Sequence, residues 1–63
     1  MNRLYVELHK QILLIKTPEE FNEKESDLKF TIIYSYYGHS ITKSERNALL
    51  DFLSFRRYEL FAC

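Results

Sequence analysis

The chain has 63 residues, and its nine lysines and arginines balance nine aspartates and glutamates, so the formal net charge is zero. This length allows one small domain, residues 1–63, and the balanced charge argues against a protein that coats nucleic acid through phosphate contacts. The single cysteine, Cys63, excludes an internal disulfide framework, and no group of cysteines and histidines has zinc-ligand spacing. With 46% apolar residues, the sequence is typical of a folded globular domain.

The first predicted element is a helix over about residues 3–16. At about 100° per residue, the larger apolar side chains of this segment fall on one side, as expected for a helix packed on a core. These residues are Leu4, Tyr5, Leu8, Ile12 and Ile15. Val6, Leu13 and Leu14 lie off that side, so we expect the helix to be apolar on more than one face.

The second predicted element begins at Pro18. Thr17 can cap a helix, proline is favoured at the first helical position, and Glu19 and Glu20 suit the positive end of the helix dipole. Residues 28–37 are ambiguous, because their alternating pattern of β-branched and aromatic side chains also fits a strand. We favour a helix over 18–37, with a possible break near 25–27, because a lone strand would leave its backbone groups unpaired. The alternative is an α+β fold with a strand at 28–37 and a C-terminal helix.

The third predicted element is a helix over about residues 43–60. Thr42 and Glu45 have the spacing of a capping box, and Gly38 is placed where a left-handed residue commonly ends the preceding helix. Leu49, Phe52 and Leu53 fall on one side of this helix at 100° per residue. The sequence therefore predicts a mainly α, small three-helix domain.

No segment has the composition of a targeting or membrane-spanning element. Charged residues interrupt the N-terminal apolar stretch, so it lacks the core of a secretory signal. The longest apolar run, Ile12 to Ile15, is far shorter than the ~20 residues that cross a bilayer. We expect a cytoplasmic protein that does not interact with membranes.

The sequence also predicts that the protein is not an enzyme. His39 and Ser40 are adjacent, and neighbouring residues seldom form a nucleophile and base pair without a third orienting group. A single glycine excludes a glycine-rich phosphate loop, and a core this small leaves little room for a substrate pocket. We predict no catalytic, cofactor-binding or metal-binding residue and no cofactor.

The aromatic residues point instead to protein binding. They are too many and too bulky to be hidden in one thin core, and aromatic and arginine side chains are enriched where interfaces carry their energy. The predicted partner-binding residues are Phe52, Phe55, Arg56, Arg57, Tyr58 and Phe61 in the last helix, with Tyr34 and Tyr37 in the middle segment. We expect a small protein-interaction module, either a self-associating adaptor or an inhibitor or modulator of a larger protein. Its partner would be another protein or a second copy of the chain.

The alternative function is a DNA-binding transcriptional regulator. A helix-turn-helix-like unit at 28–57 would present Lys43, Arg46 and Asn47, whose side chains can read base edges. Nucleic acid remains the less favoured partner, because the chain has no basic excess and Glu45 lies among these residues.

Overall fold

A computed structural model describes residues 2–62, which form three α-helices joined by short turns. Helix α1 spans Arg3–Leu14, α2 spans Pro18–Tyr37 and α3 spans Lys43–Phe61. The described residues are 84% helical and contain no strand, which confirms the mainly α prediction. Cys63, on which the disulfide argument depends, lies outside the described residues.

The alternative strand at 28–37 is wrong, and α2 runs without a break through 25–27. The buried residues of α2 are Phe21, Leu28 and Ile32, whose spacing places them on one side of a helix. Their burial against the other helices outweighs the local strand preference of the neighbouring β-branched and aromatic residues.

The caps explain where the helices begin and end. The side-chain oxygens of Asn2, Thr17 and Thr42 each accept a hydrogen bond from a backbone N–H in the first turn of the following helix. Helix α1 ends at Leu14, two residues earlier than predicted, because Ile15 adopts an extended backbone with φ −72° and ψ 121°. Its side chain is buried in the core.

The helices run up, down and up. Phe21 near the start of α2 contacts Phe61 at the end of α3, with ring centroids 6.2 Å apart. At the opposite end, the Arg46 guanidinium lies 4.5 Å from the Tyr36 ring centroid, so α2 and α3 are antiparallel along most of their length.

Helix α1 runs parallel to α3. At its start, the Asn2 side-chain amide donates a hydrogen bond to the Ser40 carbonyl in the turn before α3. At its end, Arg56 in the second half of α3 donates to the Ile15 carbonyl. Helix α1 packs mainly on α3 and contacts α2 least.

The core consists of nine apolar side chains drawn from all three helices and their connections. No polar or charged residue is buried among the described residues. The core residues are Leu8, Ile12, Ile15, Phe21, Leu28, Ile32, Ile41, Leu49 and Leu53. This core is formed by one side of each helix, and the outer faces are left to solvent.

The turn between α2 and α3 differs from the prediction in one detail. Gly38 has a φ of −81°, and it is His39 that adopts the left-handed conformation, with a φ of 62°. The His39 N–H donates to the Tyr36 carbonyl, and the Ser40 N–H donates to the Ser35 carbonyl over 2.8 Å. These two bonds form a Schellman motif whose left-handed position is filled by histidine instead of the usual glycine.

Candidate functional site

An apolar stripe runs along the outer face of the second half of α2. It consists of Phe30, Ile33, Tyr34 and Tyr37, which we call the outer stripe. Their spacing of three and four residues places them on one side of the helix, opposite the buried side. Phe30 is 59% exposed, Tyr34 65% and Tyr37 69%, so the stripe is in solvent.

The side chains of the outer stripe are arranged against one another. The rings of Phe30 and Tyr34 stack with centroids 5.6 Å apart and planes inclined by 15°. Together with Ser26 and Lys29, the four stripe residues line a shallow, mainly apolar depression of about 320 Å³. A second helix can pack its ridges of side chains into a depression of this kind.

Charge is unevenly distributed along the same face. Lys24 pairs with Glu20 at 3.7 Å and Lys29 with Glu25 at 3.5 Å, so both lysines of α2 are matched within the helix. The remaining acidic residues of α2 have no ion-pair partner among residues 2–62. They are Glu19, Glu23 and Asp27, all exposed. At 100° per residue they lie on the same side as the outer stripe, which therefore continues into an acidic patch toward the start of α2.

Three of the predicted partner-binding residues on α3 are used within the chain. The Phe52 ring stacks on His9 with centroids 4.1 Å apart, and Phe61 packs edge-on against Phe21. The Arg56 side chain, 17% exposed, donates hydrogen bonds of 3.2 and 2.7 Å to the Ile15 carbonyl. These contacts give the three side chains a role in holding the helices together.

The other predicted residues on α3 remain at the surface. Phe55 is 59% exposed and Tyr58 72%, one turn apart. Arg57 is also exposed, with its guanidinium 5.5 Å from the Phe61 ring centroid. Phe61, although it contacts Phe21, is 44% exposed. Helix α3 therefore presents three exposed rings, whereas α2 presents four apolar side chains in a continuous stripe.

Sequence reasoning identified Tyr34 and Tyr37 but missed Phe30 and Ile33. The signal was present in the spacing, because positions 30, 33, 34 and 37 repeat at intervals of three and four residues. This spacing was obscured because the same segment also has the alternating pattern of a strand. In a strand, Phe30 and Ile33 would lie on opposite faces. Once α2 is a helix, all four residues share one face.

The residues proposed to read DNA are placed on an ordinary helical hairpin. Arg46 donates to the Asn47 side-chain oxygen over 2.9 and 3.2 Å and stacks on Tyr36, while Lys43 is exposed. The antiparallel course of α2 and α3 differs from the crossing of about 90–120° that helix-turn-helix units show. The geometry therefore gives no support to DNA reading by this unit.

The described part of the chain has neither a metal-ligand cluster nor a membrane-spanning helix. Within residues 2–62, no three or more His, Cys, Asp and Glu side chains are grouped so that they could hold a metal ion. None of the three helices there combines the length and the apolar content that crossing a bilayer requires.

Comparison of the chain with protein-family models, with curated proteins and with solved structures found no match.

Proposed function

We propose that the chain is a non-enzymatic protein-interaction module that binds through the outer stripe of α2. The observation that carries the proposal is the exposure of four apolar side chains on one face of one helix. Single exposed apolar residues are normal on a protein surface, but a contiguous stripe rimmed by polar residues is typical of an interaction site. Such a module acts either as a self-associating adaptor or as an inhibitor or modulator of a larger protein.

The energetics support this choice. Full burial of a large apolar side chain stabilises an association by about 1.5–3 kcal/mol. Association costs roughly 4–15 kcal/mol, so burial of all four stripe side chains, together with the polar contacts around them, is needed to offset it. Tyrosine and phenylalanine are well suited to this role, because they bring a large contact area with few rotatable bonds.

Site-specific photo-crosslinking in the native host tests the proposal. A photoreactive phenylalanine analogue at Tyr34 is expected to capture a protein, which is a second copy or a different chain. The matched control carries the analogue at Tyr58, an aromatic position of similar exposure on α3. Equal capture at the two positions, or none at Tyr34, would contradict the assignment to α2.

A pair of double variants completes the test. Phe30→Ser with Tyr34→Ser removes two rings from the outer stripe, and Phe55→Ser with Tyr58→Ser removes two rings of similar exposure from α3. We expect the first variant to lose the captured protein and the second to retain it. Far-UV circular dichroism of both variants checks that the helices are intact.

A further inference from the structure

We propose that the outer stripe is covered by α1 of a second copy of the same chain, in a symmetric pair formed by the α1 and α2 faces of both copies. The inference rests on the proposed function, because it names the occupant of the stripe. Its basis is that both outer faces carry exposed apolar side chains and that their charges are opposite.

Helix α1 has an exposed apolar face of its own. Val6, Leu13 and Leu14 are 47%, 44% and 59% exposed and lie opposite the buried residues Leu8 and Ile12. Three large apolar side chains on the outer side of one three-turn helix are more than the scattered single residues that are normal on a protein surface. This face and the outer stripe are the exposed apolar surfaces of α1 and α2, separate from the exposed rings of Phe55, Tyr58 and Phe61 on α3.

The charges on the two faces are opposite. Arg3 and Lys10 lie on the outer side of α1, and neither has an ion-pair partner among the described residues. Glu7, one turn from each, is the single acidic residue of α1, so the helix keeps a positive excess. The outer face of α2 carries the acidic patch of Glu19, Glu23 and Asp27. Complementary charge of this kind sets orientation and suppresses wrong pairings.

Twofold symmetry places the basic residues of α1 and the acidic residues of the partner's α2 at the same height along the helix axes. Within one chain α1 and α2 are antiparallel, so the start of α1 lies beside the end of α2. A twofold axis perpendicular to the helices reverses the direction of the second copy, and α1 then runs parallel to α2 of its partner. The basic start of α1 meets the acidic start of the partner's α2, and the apolar end of α1 meets the outer stripe.

The register follows from the equal rise of the two helices. Arg3 and Leu14 are separated by about 16.5 Å along α1, at about 1.5 Å per residue. Glu23 and Tyr34 have the same separation along α2. When Arg3 is opposite Glu23 of the second copy, Leu14 is opposite Tyr34 and Lys10 is within one turn of Asp27. Charge and apolar matching are therefore satisfied by one alignment.

The available surface is large enough. A stable interface of standard size buries roughly 800 Å² on each partner, which is about one-sixth of the 4586 Å² surface of this chain. One side of a three-helix bundle supplies that share. A net charge of zero also removes the overall repulsion that keeps many small proteins apart.

The test uses two charge-reversed chains, whose helicity is checked by far-UV circular dichroism. One carries Arg3→Glu and Lys10→Glu, and the other carries Glu23→Lys and Asp27→Lys; all four positions are exposed. Each chain alone would bring like charges together in the proposed pair, so we expect at least a ~10-fold weaker self-association. An equimolar mixture restores opposite charges at both contacts and is expected to form a one-to-one complex.

Sedimentation equilibrium measures the self-association of each chain. A concentration of about 100 μM is high enough to detect association with a micromolar Kd. Native mass spectrometry of the mixture identifies the complex of unlike chains. If helicity is lost in either double variant, Lys10→Glu and Asp27→Lys are used as single replacements.

Three results would overturn the inference: a monomeric wild type, self-pairing of either reversed chain at wild-type strength, or a mixture that does not pair. Self-pairing of the Arg3→Glu, Lys10→Glu chain would indicate instead that two α2 helices cover each other. A monomeric wild type that is still crosslinked through position 34 to a different protein would leave the proposed function standing. If that crosslink is also absent, both proposals fail.

Discussion

The Arg56 guanidinium donates two hydrogen bonds to the Ile15 carbonyl oxygen, at 3.2 Å from Nε and 2.7 Å from Nη2. This carbonyl belongs to Ile15, the C-cap residue that follows α1, so the contact joins the end of α1 to α3. Helix ends leave backbone carbonyls without a partner inside the helix, and a charged donor satisfies one of them here.

We therefore predict that Arg56→Ala lowers the free energy of unfolding by about 2 kcal/mol, as expected for loss of hydrogen bonds from a charged group. Arg56→Lys keeps the charge but not the planar fork, so it should lose about half as much. Urea denaturation measures both effects, and Arg57→Ala is the control on the exposed neighbour. Equal losses for Arg56→Ala and Arg57→Ala would contradict a specific role for this contact.

The left-handed residue at the end of α2 gives a stabilising prediction. His39 has a φ of 62°, a conformation that costs a non-glycine residue roughly 1 kcal/mol or more. His39→Gly removes this strain and should raise the free energy of unfolding by about 0.5–1 kcal/mol after the greater freedom of glycine in the unfolded chain is included. Thermal denaturation is the measurement. His39→Ala keeps a non-glycine residue in the left-handed conformation, so it should change the free energy of unfolding little. A gain as large as that of His39→Gly would contradict a cost from this conformation.

The capping box at the start of α3 gives a third prediction. The Thr42 hydroxyl accepts from the Glu45 N–H at 3.1 Å, and the Glu45 carboxylate accepts from the Thr42 N–H at 2.8 Å. Thr42→Ala should lower the free energy of unfolding by about 1 kcal/mol, because one N–H of the first turn loses its partner. Ser44→Ala, on the exposed side of the same turn, serves as the control in denaturant titrations. An unchanged midpoint for Thr42→Ala would refute the contribution of the cap.

Features that depend on local chemistry could be predicted from the sequence. The start of α2 at Pro18 and of α3 at Lys43 follow from Thr17 and Thr42, which act within one turn of backbone. The end of α1 could not be placed as well, because it depends on the burial of Ile15 and on Arg56, which is distant in sequence.

The middle segment shows the limit of local reasoning. Its residues favour a strand by intrinsic preference, and only the packing of Phe21, Leu28 and Ile32 against the other helices makes it helical. The candidate site also depends on whether this segment is a helix or a strand. Phe30 and Ile33 share one face with Tyr34 and Tyr37 only in a helix. Similarly, the contacts of Phe52 with His9 and of Phe61 with Phe21 could not be predicted, because they join residues distant in sequence. Phe61 nevertheless remains 44% exposed.

We infer that the outer faces of α1 and α2 form the binding surface and that a second copy covers it. Amide chemical shifts recorded by NMR as the concentration rises from about 10 μM to about 1 mM test it directly, since this range spans weak to moderate association. The account predicts concentration-dependent shifts at residues 3–14 and 23–37, with little change around Phe55 and Tyr58. Shifts confined to the exposed side of α3, or a spectrum that does not change with concentration, would contradict it.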